Sequence, residues 1–498
     1  MSLLLLCCLR TFVLISTRPP LPPPCARNES EGYIGADASW VRLKKALQYK
    51  TVSLAPHDYN KQELVDFVRY LKQAFPGVFR SPHVRHDIIN KYSLLISVHG
   101  KNATLKPYML LSHMDVVPVV QSEWKWDGFG AKESADGQRV YGRGAVDNKG
   151  QLMAVMEAIN FMLSKGDQPV RSFFIGFGHD EEVGGEDGAL QIAKELRRRG
   201  YNQLEFILDE GFMVIEGLMP GLKFPIAGIG VSEKGSLYLN ISVRSEGGHS
   251  SLPPFQSSIG ILSAAISRLE ANPHPFIFDD LTANFVERIS LDLPFPLNVV
   301  CSNIWLFKPL LRIALSKGLT KSMVHTTTAI TMIHGGVKSN VIPPSAWAIV
   351  NHRIHPSQTI KQVIDRDIAV INDHRVKVEV VKGYKSFEAH PISPHNPKYD
   401  WPFQVLDKSV RQIHPTAVPL PMTLIANTDT RHYLNFTKHV FRHIPVTLHA
   451  KEVSMIHGRD EYISRSGFES AINFYYHLIL NVDSNVNSTV PHTHSTEL

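Results

Sequence analysis

"LLSHMDVVPV", Leu110–Val119, runs from an apolar stretch straight into an imidazole and a carboxylate. Side chains two apart on a strand share a face, so His113 and Asp115 would emerge together just where the strand stops. Reading outward, the same grammar repeats. "YSLLISVHG" (Tyr92–Gly100) reads as a strand, and "ELVDFVRYLKQAF" (Glu63–Phe75) has helical spacing. "GQLMAVMEAINFMLSKG" is a helix closed by Gly166, and "RSFFIGFGHDEE" is a strand ending in Glu181 and Glu182. "ALQIAKELRRRG" is a helix with its cations in the last turn, where the macrodipole favours them. "LEFILDEG" is a further strand, ending at Asp209. Strands alternating with helices predict an α/β domain, a mostly parallel sheet with helices on both faces.

The grammar changes near Ser232. "GSLYLNISVRS" alternates like a half-exposed strand, and "SSIGILSAAISRLEA" reads as a helix. "HTTTAITMIHGG" and "SAWAIVNHRIHP" are strands, "TIKQVIDRDIAVIND" a helix and "VKVEVV" a strand. That order is the ferredoxin-like split pattern, which predicts an inserted α+β lid or dimerisation domain. After about Lys385 the α/β style returns, with a last helix, "SGFESAINFYYHLIL", that Ser466 and Glu469 would cap. The expected plan is a catalytic domain over 39–231, a lid over 232–385 with an apolar insertion at 273–323, and a second catalytic part over 386–480. A polar tail follows over 481–498.

Length and composition agree with a multi-domain globular chain: 498 residues exceed one ordinary domain, and 20% charged residues is ordinary. A net charge of +6 without a dense Lys/Arg block argues against nucleic acid as a partner. Four cysteines imply no disulfide framework. "MSLLLLCCLRTFVLIS" followed by "PPLPPPC" reads as a signal peptide over residues 1–25, although Arg10 interrupts its core. Sequons at Asn28, Asn102, Asn240, Asn435 and Asn487 are compatible with it, so a secreted, extracellular protein is expected. "FPLNVVCSNIWLFKPLLRIAL" is the most apolar later segment, but its Asn, Lys, Pro and Arg residues break it as a membrane span.

The chemistry lies at the strand ends. His113, Asp115, Asp147 in "YGRGAVDNKG", Glu181, Glu182 and Asp209 all sit where an open α/β sheet places its ligand. Carboxylates gathered there repel one another unless a cation neutralises them. Imidazole with carboxylates and no thiolate suits zinc or a similar divalent metal. Taken singly, each of these residues reads as a helix cap or a solvated strand end; taken together they do not.

The motifs "SHMDVVP", "GRGAVDNKG", "GHDEEVGG", "LDEG", "GGHSS", "NVIPPSAWAIVNHRIHP", "NTDTR" and "MIHGRDE" resemble those of the co-catalytic zinc peptidases and aminoacylases, the family of the carnosinases and carboxypeptidase S. The resemblance spans Ser39 to about Leu480. It implies two zinc ions per chain, one held by His113 and Asp209, the other by Glu182 and His457, with Asp147 bridging. Asp115 would then orient His113, and Glu181 would be the general base. It further implies that His249 stabilises the tetrahedral oxyanion, reaching across from a partner subunit in dimeric relatives. Asn340, Arg353, Thr430 and Arg431 would bind the substrate. A cis peptide is expected after Asp147, and a homodimer through the lid is one implied arrangement, which a long insertion can block. "RSFFIGFGHDEE", "VSEKGS", "GHSSLPP", "SSIGIL" and "NTDTR" are similar to the branch of the family acting on N-fatty-acyl amino acids. The expected substrate is therefore a small amphipathic molecule, its acyl chain met by the 273–323 insertion, and the same surface fits association with lipid or lipoprotein. The alternative is an exopeptidase acting on short peptides. A catalytically dead binder is disfavoured by the complete ligand set with Glu181 intact.

Overall fold

A computed structural model describes residues 3–18, 21–25, 35, 37–218, 222–317 and 320–485. It divides into two compact units, residues 17–231, 393–421 and 427–498 forming one, and 1–16, 232–392 and 422–426 the other.

The first unit is built on an eight-stranded sheet. Its strands run in the order Val418–Leu424, Ile226–Glu233, Val440–His449, Ile207–Glu216, Tyr108–His113, Phe173–Gly178, Ser93–Val98 and Val84–Ile89. The four central strands, Val440–His449 to Phe173–Gly178, are parallel neighbours; Ile226–Glu233 on one side and Ser93–Val98 with Val84–Ile89 on the other join antiparallel. Tyr108–His113, Phe173–Gly178 and Ser93–Val98 are buried along their whole length, as strands covered on both faces must be. Met109 and Leu111 pack against Ile192, Ala193 and Leu196 of the helix Ala189–Arg198. On the opposite face Ser112 Oγ donates to the carbonyl of Asn148, which opens the buried helix Lys149–Ser164.

The strand carrying "LDEG" does not stop at its acids. It continues to Glu216, and its parallel register to Val440–His449 jumps: Asp209 faces Arg442, but the next pair is Phe212 with His443. Glu210 and Gly211 form a bulge, which bends a strand and re-aims a side chain. Likewise the Phe173–Gly178 strand ends before Glu181, and Glu181–Val183 form a single 3₁₀ turn. The two glutamates therefore diverge by the rotation of a 3₁₀ turn rather than by strand alternation.

The second unit holds four antiparallel strands in the order Thr327–Gly335, Ser345–Ile354, Gly235–Arg244, Val376–Val380. With the helices Ser258–Ala271 and Ile360–Ile371 this is the ferredoxin-like arrangement. Leu237, Leu239, Ile241, Ala346, Ala348, Val350 and Ile354 line the sheet's buried face against Leu262, Ala265, Val363 and Ile371 of the helices. The chain leaves this unit at 392 rather than at the expected 385, because Phe387 pairs its backbone with Ser236 and His390 with Glu233. The 273–323 insertion is helical over Asp280–Ser290, Leu297–Ser302 and Ile304–Leu315. The first described residues, Leu3–Ser16, form a helix in which Arg10 pairs with Glu287 at 2.8 Å and Thr11 Oγ1 meets Ser302 Oγ at 2.6 Å.

Two expectations near the C-terminus change. The last helix begins at Arg465, so Ser464, not Ser466, caps it by accepting from the Gly467 N–H at 3.0 Å. It runs on to Ser484, past the expected start of the tail at 481; residues 486–498 lie outside the described residues. Among the described residues no helix is long and apolar enough to cross a membrane.

Candidate metal centre and active site

The centre is built outward from His113, buried at the end of its strand. Its Nδ1–H donates to the Asp115 carbonyl at 2.9 Å, which leaves the lone pair of Nε2 facing inward. Nε2 lies 3.0 Å from Asp147 Oδ1 and 3.3 Å from Glu210 Oε2. The other oxygen of Asp147, Oδ2, lies 2.9 Å from Nε2 of His457, which is also 3.2 Å from Glu182 Oε2. Asp147 thus offers one oxygen to each histidine, the arrangement a bridging carboxylate requires. The peptide between Asp147 and Asn148 is cis, as the resemblance implies.

Each group is held from behind. The Asp115 carboxylate accepts the backbone N–H groups of Glu181 (3.1 Å) and Glu182 (3.2 Å), so one residue orients both the imidazole and the paired acids. Asn148 Nδ2 donates to Glu210 Oε2 at 2.9 Å. Glu461, fully buried, accepts from Arg143 Nη1 at 2.8 Å and from the N–H groups of Gly144, Val146 and Asp147, pinning the bridging loop. His457 projects from a backbone with φ +58°, the left-handed region that non-glycine residues rarely adopt.

The electrostatics ask for a cation. Burial and the Asp147 charge push Glu182 up to about 7, and burial pushes Glu210 to about 8. Burial and the neighbouring Glu210 lift Glu181 well above the usual carboxylate range. Hydrogen bonds to Asp147 and Glu182 hold His457 up at about 10. For His113, burial disfavours the charged ring, yet Glu210, Asp115 and Asp147 together raise it well above an ordinary histidine. Glu182 Oε1 is buried with no hydrogen-bond partner. Two donor groups converge here, His113 with Asp147 and Glu182, and His113 with Glu181 and Glu210. Hard carboxylate oxygens with imidazole nitrogens fit a divalent metal.

Of the expected site residues, His113, Asp115, Asp147, Glu181, Glu182 and His457 come together. Arg431 joins them, its Nη2 lying 3.6 Å from Glu181 Oε1. Asp209 does not, and Glu210 takes its place beside His113. The bulge turns the two acids apart, and the Asp209 charge is felt by Asp429, Tyr433 and Tyr475 as well as by Glu210. Thr430 is fully buried, and its hydroxyl accepts from Arg442 Nη2 at 2.8 Å. Glu461 and Glu210 were missed although both stand in motifs read above; adjacent acids give no sign of which one a bulge turns inward.

In the second unit His249 and Asn340 lie together. His249 pairs with Val341 across a two-residue ladder, and the Ser250 N–H donates to the Asn340 carbonyl at 3.2 Å. His249 is exposed, with Nδ1 2.7 Å from Ser251 Oγ. Arg353 stands on the strand Ser345–Ile354 opposite Ser236. Its charge adds to burial in holding Lys234 down at about 7.

The signature described as "Peptidase family M20/M25/M40" matches residues 109–481. The chain is 42% identical to the N-fatty-acyl-amino acid synthase/hydrolase PM20D1 of Bos taurus over 91% of this chain and 89% of that protein. It is 38% identical to the "Probable carboxypeptidase S-like 2" of Dictyostelium discoideum, over 89% and 84%. Its fold matches human carnosine dipeptidase 1 with a TM-score of 0.61 at 15% identity, over 96% of this chain and 98% of that one. A signature spanning most of the chain and relatives matched along nearly their whole length leave one assignment: the protein belongs to the M20/M25/M40 peptidase family and is a hydrolase of amide bonds.

Proposed function

We propose that the protein is a zinc amidohydrolase that cleaves N-fatty-acyl amino acids to fatty acid and amino acid, and condenses them in reverse. The observation that carries the reading is Asp147, one oxygen 3.0 Å from His113 and the other 2.9 Å from His457. His113 and Glu210 would hold one zinc, Glu182 and His457 the other, with Asp147 between them. When bound, such a pair supplies Lewis acidity for the amide carbonyl and lowers the pKa of a water. Glu181 would take a proton from the attacking water on a carboxylate oxygen and return it to the leaving nitrogen. Its burial and the Glu210 charge make it basic enough for the first transfer, and Arg431 steadies its charged form. In the lid, His249 is assigned the developing oxyanion, and Asn340 and Arg353 the substrate carboxylate, which a planar guanidinium can meet with two hydrogen bonds.

The fatty-acyl class is supported by the PM20D1 relatives and by the insertion, where Phe295, Leu297, Trp305, Leu310 and Ile313 are exposed. Each buried methylene contributes about 0.8 kcal/mol, so an acyl chain of many carbons would dominate selectivity on such a surface. Secretion belongs to the same proposal, supported by the N-terminal apolar segment and by Asn435, an exposed sequon. The carboxypeptidase S-like relatives favour a second reading, an exopeptidase of short peptides.

The test incubates the purified chain with N-oleoyl-phenylalanine, with and without chelator and zinc add-back, beside Glu181→Gln. Chelator-sensitive oleate release that falls by about 10²–10⁴-fold in the variant, with bound metal unchanged, is the expected result. Cleavage of a blocked dipeptide in place of the acyl amino acid would move the protein to the exopeptidases.

A further inference from the structure

The lid contains a second convergence of metal-binding side chains, wholly outside the site above. His274, His352 and Asp367 are each at most 2% exposed and present donor atoms within 4.8 Å of one another. They come from a loop, a strand and a helix, and two of them occupy positions where the pattern calls for an apolar residue. On Ser345–Ile354 the buried face reads Ala346, Ala348, Val350, His352, Ile354. On Ile360–Ile371 it reads Val363, Asp367, Ile371. A carboxylate inside a hydrophobic core costs several kcal/mol unless it is neutralised and hydrogen-bonded.

Ordinary hydrogen bonding does not satisfy the cluster. Asp367 Oδ2 lies 2.8 Å from His352 Nε2, and Oδ1 lies 3.4 Å from His274 Nε2. Even so, neither carboxylate oxygen, neither ring nitrogen of His274, nor Nε2 of His352 has a partner in hydrogen-bonding alignment. His352 Nδ1 meets the Thr328 hydroxyl at 3.2 Å, a contact that fixes the ring and turns Nε2 toward Asp367. The two imidazoles stand edge to face, ring centres 5.5 Å apart, with the carboxylate within reach of both. The nearby cation, Arg366, is turned away and donates to the carbonyls of Asn272 and Pro273.

We propose that His274, His352 and Asp367 form a structural divalent-metal site, with zinc the fitting ion, that ties the loop after the first lid helix to the sheet and the second helix. Two donors about 2.0–2.1 Å from a tetrahedral zinc lie about 3.4 Å apart, which matches the His274–Asp367 spacing. The His352 contact is shorter and opens by about half an ångström on binding. Two neutral imidazoles and one carboxylate leave the fourth position to a water molecule. Because the ligands are buried, the ion is captured during folding, and its affinity adds to the stability of the lid.

The experiment counts metal with the catalytic centre removed, so that failure of the hydrolase reading leaves it interpretable. Full-length chain carrying His113→Ala and Asp147→Ala is purified with zinc, and bound metal is measured per chain by elemental analysis, with thermal melts before and after chelation. The expected result is about one equivalent of zinc, a melting temperature lowered by chelator, and loss of both features on adding His352→Gln or His274→Gln. His274 lies on a loop, so its variant keeps the fold if the strand variant does not, and cobalt gives a visible tetrahedral spectrum as a second readout. A metal-free double variant, or zinc retained in both Gln variants, would overturn the site and leave the cluster a proton-shared histidine–aspartate pair.

Discussion

Asp209 and Glu210 are neighbours in sequence with opposite fates. Glu210 reaches His113 at 3.3 Å, whereas Asp209 accepts the Glu210 N–H on Oδ1 and turns to the sheet's other side. Glu210→Gln is therefore expected to lower metal affinity by at least 10–100-fold and to abolish turnover. Asp209→Asn should keep its metal and act mainly on stability, and metal titration of the two apo-proteins distinguishes them. His113, Asp147, Glu182 and His457 were legible because each stands in a short motif whose order along the chain matches the family pattern. Between Asp209 and Glu210 the structure sets Glu210 beside His113, a choice between two adjacent acids that backbone geometry makes. Likewise "NTDTR" says that a loop carries polar groups but not that Arg442, twelve residues on, donates to the Thr430 hydroxyl.

At the level of elements, the bulge in Ile207–Glu216 is what brings Glu210 to the centre. It depends on Gly211, where a Cβ would sit 2.5 Å from Arg442 Cβ and 3.0 Å from the Arg442 carbonyl carbon. Gly211→Ala forces those strands apart and is expected to cost about 1–3 kcal/mol. That lowers the melting temperature by several degrees, and Glu210 withdraws from His113. Calorimetry together with metal content checks both halves; an unchanged melt with full metal would refute the bulge as the positioning device. The lid's strand–helix–strand–strand–helix–strand order was readable throughout, since each element keeps its own period and its own turn signals. The bulge was not readable, because an extra residue in one strand is visible only against the strand it pairs with.

Across the whole molecule, buried histidines set an acid limit. Burial holds both His179 and His443 down at about 4, while unfolded imidazoles titrate near 6.5. Between about 6.5 and about 4 the unfolded chain therefore binds more protons than the folded one, and stability present above that window is lost as pH falls through it. Urea midpoints measured from neutral pH down to about 4 should fall more steeply in the native chain than in His443→Gln; parallel slopes would show that this ring is not the sensor. The broad plan, α/β with an inserted ferredoxin-like lid, was legible because the change of grammar near Ser232 is a change of period. The return at 392 was obscured by Phe387 and His390, which pair with lid backbone while reading as loop. The pairing of Asp147 with His457 also has a consequence for synthesis. The ribosome delivers the bridging acid early but its second imidazole only after the entire lid has been made. A nascent or truncated chain ending anywhere before residue 457 holds half a centre, so hydrolytic competence is withheld until translation is almost finished.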